Sequence, residues 1–355
     1  KLNEETRQLA PEDSLDDFKW ADIVMTQNIC NYGGPYTARL CGIAKQYGCF
    51  FHYDTDDLLT DLYEGHRLLG VYKEQKLDEI TKFIYSHADL VTVTQRKFAE
   101  RVKPYCGGVL AVVKNAIDYT LPCWNSPKVP PSRKGVVRVG WAGGIHHEED
   151  VKEFASVPHF VNSRVGSSKV SWDFYGAPPP AEDGKEDWQH EVWHNYQRIM
   201  MRGLKGQRNY NVFNALGPRD YGIMFARMDM AIAPLQMNAF NDSKSEIKVA
   251  ECGRYSIPLI ASNVGCYDET IENGKTGYLI DPDAPPKEWV SVLTKVINNK
   301  KHREEMGRNL HAITEEYFDL NKVVGNRLQL YRDAMSLKNN DLRSGISQAF
   351  NFKDE

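Results

Sequence analysis

The sequence predicts an α/β protein built from two parallel-sheet domains. Three observations carry that expectation. Apolar runs alternate with amphipathic segments along most of the chain, the signature of a parallel sheet wrapped by helices. The chain has 355 residues, and at roughly 100–200 residues per domain that length favours two domains. A break at Pro122–Gly135 (PCWNSPKVPPSRKG) separates two such alternations. Four prolines in that stretch continue neither a helix nor a central strand.

Each element follows from its local period. Ala21–Asn28 (ADIVMTQN) predicts a strand, Pro35–Tyr47 a helix stopped by Gly48, and Cys49–Asp54 (CFFHYD) a buried strand. Val71–Ala88 has the spacing of one long amphipathic helix. Leu90–Thr94 (LVTVT) is a strand, a helix starts at Gln95, and Val109–Asn115 closes the first half. Beyond the break, Val136–Trp141 predicts a strand running into Gly143-Gly144, Glu148–Phe160 a helix, and Lys169–Gly176 (KVSWDFYG) a strand. Pro178–Gly184 predicts a loop. Trp188–Gly206, rich in Trp, His, Arg and Met, fits neither template. Asn209–Ala215, Met228–Leu235 and Leu259–Ser262 predict strands. Tyr221–Arg227, Ser245–Tyr255, Lys287–Asn298, His302–Tyr317 and Asn321–Leu337 predict helices.

Composition narrows the function classes. Lys+Arg is 44 and Asp+Glu 48, a formal charge of −4, which argues against wholesale nucleic-acid binding and leaves room only for a local basic groove. Apolar residues are 41% and charged residues 26%, ordinary for a globular protein. The 18 Tyr, 14 Phe and 7 Trp exclude disorder of the whole chain. No apolar run approaches the ~20 residues that span a bilayer. The first residues, KLNEETRQLAPED, predict neither a signal peptide nor an anchor, and the missing initial Met predicts a processed or excised chain. Seven scattered Cys without a C-x-x-C predict reduced thiols and a cytoplasmic protein, with no disulfide framework and no zinc site.

In open parallel sheets, ligands bind outside the carboxyl ends of the strands, where loops meet helix N-termini. The expectation is therefore a cleft shared by the two sheets, with the chemistry carried by its loops. The richest segment is Ala233–Leu279 (APLQMNAFNDSKSEIKVAECGRYSIPLIASNVGCYDETIENGKTGYL). A strand ends at Pro234, and Ser243-Lys244-Ser245 then opens a helix. The hydroxyls suit an N-cap, and the first-turn amides favour an anion. Lys244 adds positive charge, and Lys248 adds more if it faces the cleft. Glu251 lies two turns beyond Lys244, placed to accept from ribose hydroxyls. An ordinary helix with a capping box, Ser243-x-x-Glu246, accounts for the isolated piece equally well.

The whole stretch resembles the donor-binding signature of retaining GT-B glycosyltransferases, glycosyltransferase family 4. That signature is Glu-x7-Glu, then a turn and strand of the type Gly-Ile-Pro-Val-Ile-Ala-Ser, then Glu-x-Ile-x-Asn-Gly-x-Thr-Gly-x-Leu. Glu251 matches the second Glu, Ile257–Ser262 the strand, and Glu269–Leu279 the tail. The first Glu falls on Ser243. The variant running from Phe240 to Glu251 resembles a surface-polysaccharide and phage-type branch. The resemblance is specific over about fifty residues and looser elsewhere.

Other loops extend the picture. Gly143-Gly144, followed by His146-His147, ends the first strand of the second half. Its glycines permit close backbone approach to a ligand, and the family has a diphosphate-facing loop there. The family's usual Arg and Lys are missing, which leaves Lys244 and Arg219 to carry diphosphate charge. A tight turn with a solvated helix start is the plainer reading. His52–Asp57 (HYDTDD) follows a buried strand. Asp54-x-Asp56 fits the metal-binding triplet of a GT-A enzyme, but it also resembles the acceptor-side Tyr-Asp-x-Asp-Asp of the GT-B branch, which is preferred. Asp56 or Asp57 as a helix cap at Leu58 is a third reading. Asn31–Pro35, carrying Gly33 and Gly34, is either a loop closing over donor phosphates or a turn with Pro at a helix start. Asn115–Asp118 marks the end of the first domain. Trp188–Trp193 and the basic Arg198–Arg208 either contact an acceptor through ring planes and guanidinium groups or form an amphipathic helix over a sheet edge.

The resemblance implies an α/β, GT-B architecture: two Rossmann-like domains with parallel sheets facing a central cleft. An acceptor domain would span 1–120, a linker 121–135 and a donor domain 136–318, with a helix at about 319–350 packing back on the first. The implied reaction moves a sugar from a nucleotide diphosphate sugar, UDP- or GDP-linked, to an acceptor hydroxyl with retention. Asp56, Asp57 and Lys244 are its catalytic candidates. Gly143, Gly144, Arg219, Ser243, Lys244, Ser245, Lys248 and Glu251 bind donor, and Gly33, Gly34 and Asp54 face the acceptor. The expected acceptor is a glycan or lipid-linked glycan, with a modified DNA base less favoured. No cofactor is required, and Mg or Mn would not be essential. The alternatives are a GT-A transferase using Asp54 and Asp56, a GT-B-like nucleotide-sugar epimerase, and a non-catalytic sugar-nucleotide binding module.

Overall fold

A computed structural model describes residues 2–3, 8–9, 15–29, 33–181, 186–204 and 209–339. The chain forms two compact units. Unit 1 takes Lys1–Asn115, Asp242–Ser245 and Val324–Glu355; unit 2 takes Ala116–Asn241 and Glu246–Val323.

Unit 1 runs β1 (Leu2–Asn3), β2 (Gln8–Leu9), α1 (Leu15–Trp20), β3 (Ile23–Gln27), α2 (Gly34–Gln46), β4 (Phe50–Asp54), α3 (Leu69–Glu74), α4 (Leu77–His87), β5 (Leu90–Val93), α5 (Arg96–Val102) and β6 (Val109–Val112). Strands β1 and β2 pair antiparallel. The main sheet is parallel in the order β3-β4-β5-β6. Every residue of β5 and the first four of β4 are buried, which is why these strands read as continuous apolar runs. The single helix expected over Val71–Ala88 is two, α3 and α4. The chain breaks between them at Lys76, whose φ of 52° is left-handed. No Gly or Pro marks that break in the sequence.

Unit 2 runs β7 (Val137–Ala142), α6 (Glu148–Glu153), α7 (Val157–Val165), β8 (Val170–Ala177), α8 (Trp188–Met200), β9 (Tyr210–Asn214), β10 (Met230–Ala233), α9 (Ala239–Asp242), α10 (Ile247–Arg254), β11 (Leu259–Ser262), β12 (Gly277–Ile280), α11 (Pro286–Asn298), α12 (Lys300–Tyr317) and α13 (Leu320–Asn339). Asp242 of α9, and α13 from Val324 onward, group with unit 1. The six-stranded sheet is parallel in the order β12-β11-β10-β7-β8-β9.

One core of unit 2 gathers Trp141, Phe154, Trp172, Trp193 and Trp289, and a second gathers Trp124, Tyr175, Phe225 and Ile257. Cys123 and Trp124, in the proline-rich stretch, are buried in unit 2, and Arg254 Nε donates to the Trp124 carbonyl at 2.9 Å. The helix expected over Glu148–Phe160 is α6 and α7. Ser156 turns left-handed (φ 68°) and Pro158, with no amide hydrogen to donate, restarts the helix. Tyr221–Arg227 is helical but of the 3-10 type. Among the described residues, no helix is long and apolar enough to cross a membrane.

Candidate functional site

The donor candidates of unit 2 centre on α10. The helix expected from Ser245 starts two residues later, at Ile247. Its N-cap is Glu246, which makes no side-chain cap bond. Ser243, Lys244 and Ser245 therefore precede the helix, and Ser243 is not its N-cap. Ser243 has no exposed surface. Glu246 is buried as well, and its Oε2 accepts from Cys266 Sγ at 2.6 Å.

Spacing of three along α10 puts Lys248 and Glu251 on one face. Lys248 Nζ donates to Glu251 Oε2 at 2.7 Å and to the Tyr221 hydroxyl at 2.9 Å. Its ammonium also lies 5.6 Å from the Tyr221 ring centre and 5.7 Å from that of Phe225. Burial works against the charged Lys248, but the Glu251 carboxylate and Tyr221 outweigh it, and its pKa rises. Burial, partly offset by Lys248, pushes the Tyr221 phenol up to about 12. Lys248 is thus committed to holding Glu251 rather than projecting as a separate cation. Tyr221, which orders this pair, was not singled out in the sequence. Arg219 is exposed in the turn that precedes Tyr221.

Gly143 and Gly144 follow β7 and differ from each other. A Cβ on Gly143 would lie 2.3 Å from the Trp141 ring, whereas one on Gly144 would meet nothing within 4 Å. Just beyond them, His147 Nδ1 pairs with Asp150 Oδ2 at 2.8 Å. The other oxygen of the buried Asp150 accepts from the Gln236 amide at 2.9 Å and Asn241 Nδ2 at 2.8 Å. A single carboxylate thereby ties the segment after β7 to the one after β10. Asp150 gave no sequence signal apart from being an acid in the first turn of a helix.

The carboxylates of unit 1 sit at the end of β4. Asn28 adopts a left-handed φ of 51° after β3. Its Nδ2 donates to Asp56 Oδ1 at 2.8 Å, and its Oδ1 accepts from Thr55 Oγ1 at 2.6 Å. Burial and the neighbouring Asp56 raise the pKa of Asp57, while the Lys244 charge opposes the rise. Ser245 Oγ accepts from Asn115 Nδ2 at 3.0 Å. Asp56, Asp57 and Lys244 are therefore gathered in one unit, with Asn28 as the residue that sequence reasoning missed.

Asp54 has other partners. It accepts from Thr92 Oγ1 and lies 3.4 Å from Arg327 of α13. His52, two residues back on the same face of β4, bridges Thr92 Oγ1 at 2.7 Å and the Tyr331 hydroxyl at 2.8 Å. Leu330 and Ala334 of α13 pack with Phe50, Leu90 and Ala111. Asp54 and Asp56 are thus held by different partners, as a shared metal clamp would not require. Among the described residues, no group of three or more His, Cys, Asp and Glu is placed to hold a metal ion.

Gly33 and Gly34 open α2. Gly33 caps it with φ 95°, a conformation that favours glycine. A Cβ on Gly34 would come 2.8 Å from Leu77 Cδ2, so this glycine serves helix packing. Asn31 and Tyr32 of that loop, and 205–208 of the basic stretch, lie outside the described residues. Trp188–Met200 is an amphipathic helix with Trp193 buried and Trp188 exposed.

Comparison with known proteins gives two kinds of likeness. Residues 200–311 match the family described as Glycosyl transferases group 1. A D-inositol 3-phosphate glycosyltransferase from Paenarthrobacter aurescens is 31% identical over 112 residues, which make up 32% of this chain and 26% of that protein. The match thus spans about a quarter of that relative's length. Among solved structures, sucrose-phosphate synthase from Thermosynechococcus elongatus aligns with a TM-score of 0.64 at 12% identity, over 91% of this chain and 77% of that one. Anabaena HepE in complex with UDP and glucose aligns with a TM-score of 0.61 at 16% identity, over 91% and 80%. The chain has the GT-B fold of these structures, with two parallel sheets in an α/β framework. That fold departs from the GT-A alternative raised by Asp54-x-Asp56.

Proposed function

We propose that the chain is a glycosyltransferase that takes a nucleotide diphosphate sugar as donor and delivers the sugar to a hydroxyl of a glycan acceptor, with retention of configuration. The observation that carries this reading is the Tyr221–Lys248–Glu251 arrangement within the segment that matches the group 1 family. A carboxylate fixed on one oxygen by an ammonium is pre-oriented to accept from the vicinal hydroxyls of a ribose. The open space beside Gly144 suits a diphosphate against backbone amides. UDP in the HepE complex supports a uridine donor as the first to test.

In unit 1, Asp56 and Asp57 orient the acceptor hydroxyl, and Lys244 supplies positive charge for the leaving diphosphate. The protein's part in the reaction is then positioning and charge stabilisation. The resemblance to retaining GT-B enzymes suggests front-face substitution, in which a donor phosphate oxygen takes the acceptor proton. Metal is not essential on this reading, and activity unchanged by EDTA is its expected sign.

The test is a binding screen of the chain against UDP, GDP, ADP and TDP sugars. One diphosphate should stabilise the protein, and Glu251→Ala should weaken its binding by about tenfold or more, the 1.4 kcal/mol or above expected for a charged hydrogen bond. Equal binding by wild type and Glu251→Ala removes the assignment. Donor consumed without an acceptor would point to an epimerase in its place.

A further inference from the structure

Unit 2 carries a pocket apart from the donor candidates, and two arginines of the basic stretch after Trp193 line it. It measures about 320 Å³ and is lined by Lys152, Ala155, Asn195, Arg198, Ile199 and Arg202. Three of the six lining residues are cations and none is acidic, in a chain whose net charge is −4. Lys152 is shared with Glu149, but among the described residues neither Arg198 nor Arg202 has a carboxylate partner. The two arginines line the pocket from the last turn of α8 and from the turn that follows it, so two like charges share one site.

The pocket is also organised. Asn195 Nδ2 donates to Glu148, which leaves Asn195 Oδ1 to accept from Arg198 Nη2 at 3.3 Å. That bond orients one guanidinium, while Ala155 and Ile199 supply an apolar wall. A fork of arginines beside an apolar surface suits an oxyanion carried on a larger body. The volume falls at the lower end of the roughly 300–1,000 Å³ typical of small-molecule sites, room for a substituted sugar unit rather than for a bare ion. Lys152 lies five residues, or about 7.5 Å of helix rise, beyond His147, which caps α6 next to the Gly143-Gly144 loop.

We propose that this pocket is a subsite for the phosphate, sulfate or carboxylate group of an anionic glycan, and hence that the acceptor class is a negatively charged saccharide. The second half of that statement rests on the transferase reading above; the pocket itself does not.

The test measures binding of three probes to the full chain at fixed ionic strength: a sulfated dextran oligosaccharide, neutral dextran of the same length, and inorganic phosphate. The wild type is compared with Arg198→Gln, Arg202→Gln and the double variant, with UDP binding measured in parallel. Both side chains are exposed, and thermal melts verify that the variants fold. Sulfated dextran should bind at least tenfold more tightly than either of the other probes. The double variant should lose that advantage and each single variant part of it, with UDP affinity unchanged. Equal binding of sulfated dextran by wild type and the double variant overturns the proposal. Phosphate binding as tightly as sulfated dextran also overturns it, in favour of a free-ion site. If UDP fails to bind the wild type while sulfated dextran still depends on both arginines, the transferase reading falls and the subsite stands.

Discussion

Lys248 donates to Glu251 Oε2 at 2.7 Å from one turn earlier on the same helix, and the pair is mostly buried. The two charges therefore depend on each other. Removing the ammonium in Lys248→Met leaves a buried carboxylate without its counter-charge, a loss of about 3–5 kcal/mol in typical cases. Tyr221→Phe removes one acceptor from the Lys248 ammonium while Glu251 still holds it, and should cost about 1.5–3 kcal/mol, less than Lys248→Met. Denaturant unfolding of the three proteins measures both. If Lys248→Met were no less stable than Tyr221→Phe, the ammonium would not be holding Glu251.

His52 sets a pH dependence in unit 1. Burial, aided by the Arg327 charge, lowers its pKa to about 3 from the usual 6.5. Between those values the unfolded chain holds a proton that the folded chain does not. Stability is then fully present above pH 6.5 and is lost as pH falls toward 3. The upper limit of that loss is on the order of 5 kcal/mol. Between pH 6.5 and 5, where most carboxylates are still ionised, the fall in melting temperature should be steeper for wild type than for His52→Gln. Parallel curves for the two would exclude His52 as the source.

Much of the fold was legible because its signals are local. Leu259–Ser262 is a buried strand framed by Pro258 and the turn at Asn263, and its bounds can be read directly. The break at Lys76 was not legible, since a left-handed lysine has no sequence mark, and the period of Val71–Ala88 runs through it unbroken. The site shows the same division. Glu251 stands in a recognisable pattern. The start of α10 was misplaced because Ser243, an apt cap by type, is fully buried in the segment that precedes the helix. Asn28 and Asp150 act through partners 28 and 91 residues away, and pairings at that separation leave no local pattern.

Asp57 and Lys244 are electrostatically coupled. Burial and Asp56 raise the Asp57 pKa, and Lys244 counters them. Lys244→Met should therefore raise it further, and Asp56→Asn should lower it. Because the folded-state value lies above the unfolded one, ionising Asp57 costs stability, and the Lys244 variant should be less stable at neutral pH than in mild acid. A carboxyl-carbon NMR titration of Asp57 in the three proteins reads the shifts directly. An identical midpoint in wild type and Lys244→Met would show that the cation does not act on this carboxylate.

The two glycines after β7 separate packing from ligand contact. Gly143→Ala would force a Cβ to 2.3 Å from the Trp141 ring. That ring is buried and packed against Trp193 and Tyr196, so it cannot yield without disturbing the core. Overpacking of this kind costs about 1–3 kcal/mol. Gly144→Ala meets no atom within 4 Å, and Gly144 is not among the left-handed residues. Its stability should stay within about 0.5 kcal/mol of wild type. If a diphosphate rests against this stretch of backbone, the added methyl takes up its space, and donor affinity should fall by on the order of tenfold, or 1.4 kcal/mol. Thermal melts with and without the nucleotide identified in the screen read both quantities on the same samples. A Gly144→Ala protein as stable as wild type that also binds the nucleotide equally well would place the diphosphate away from this loop.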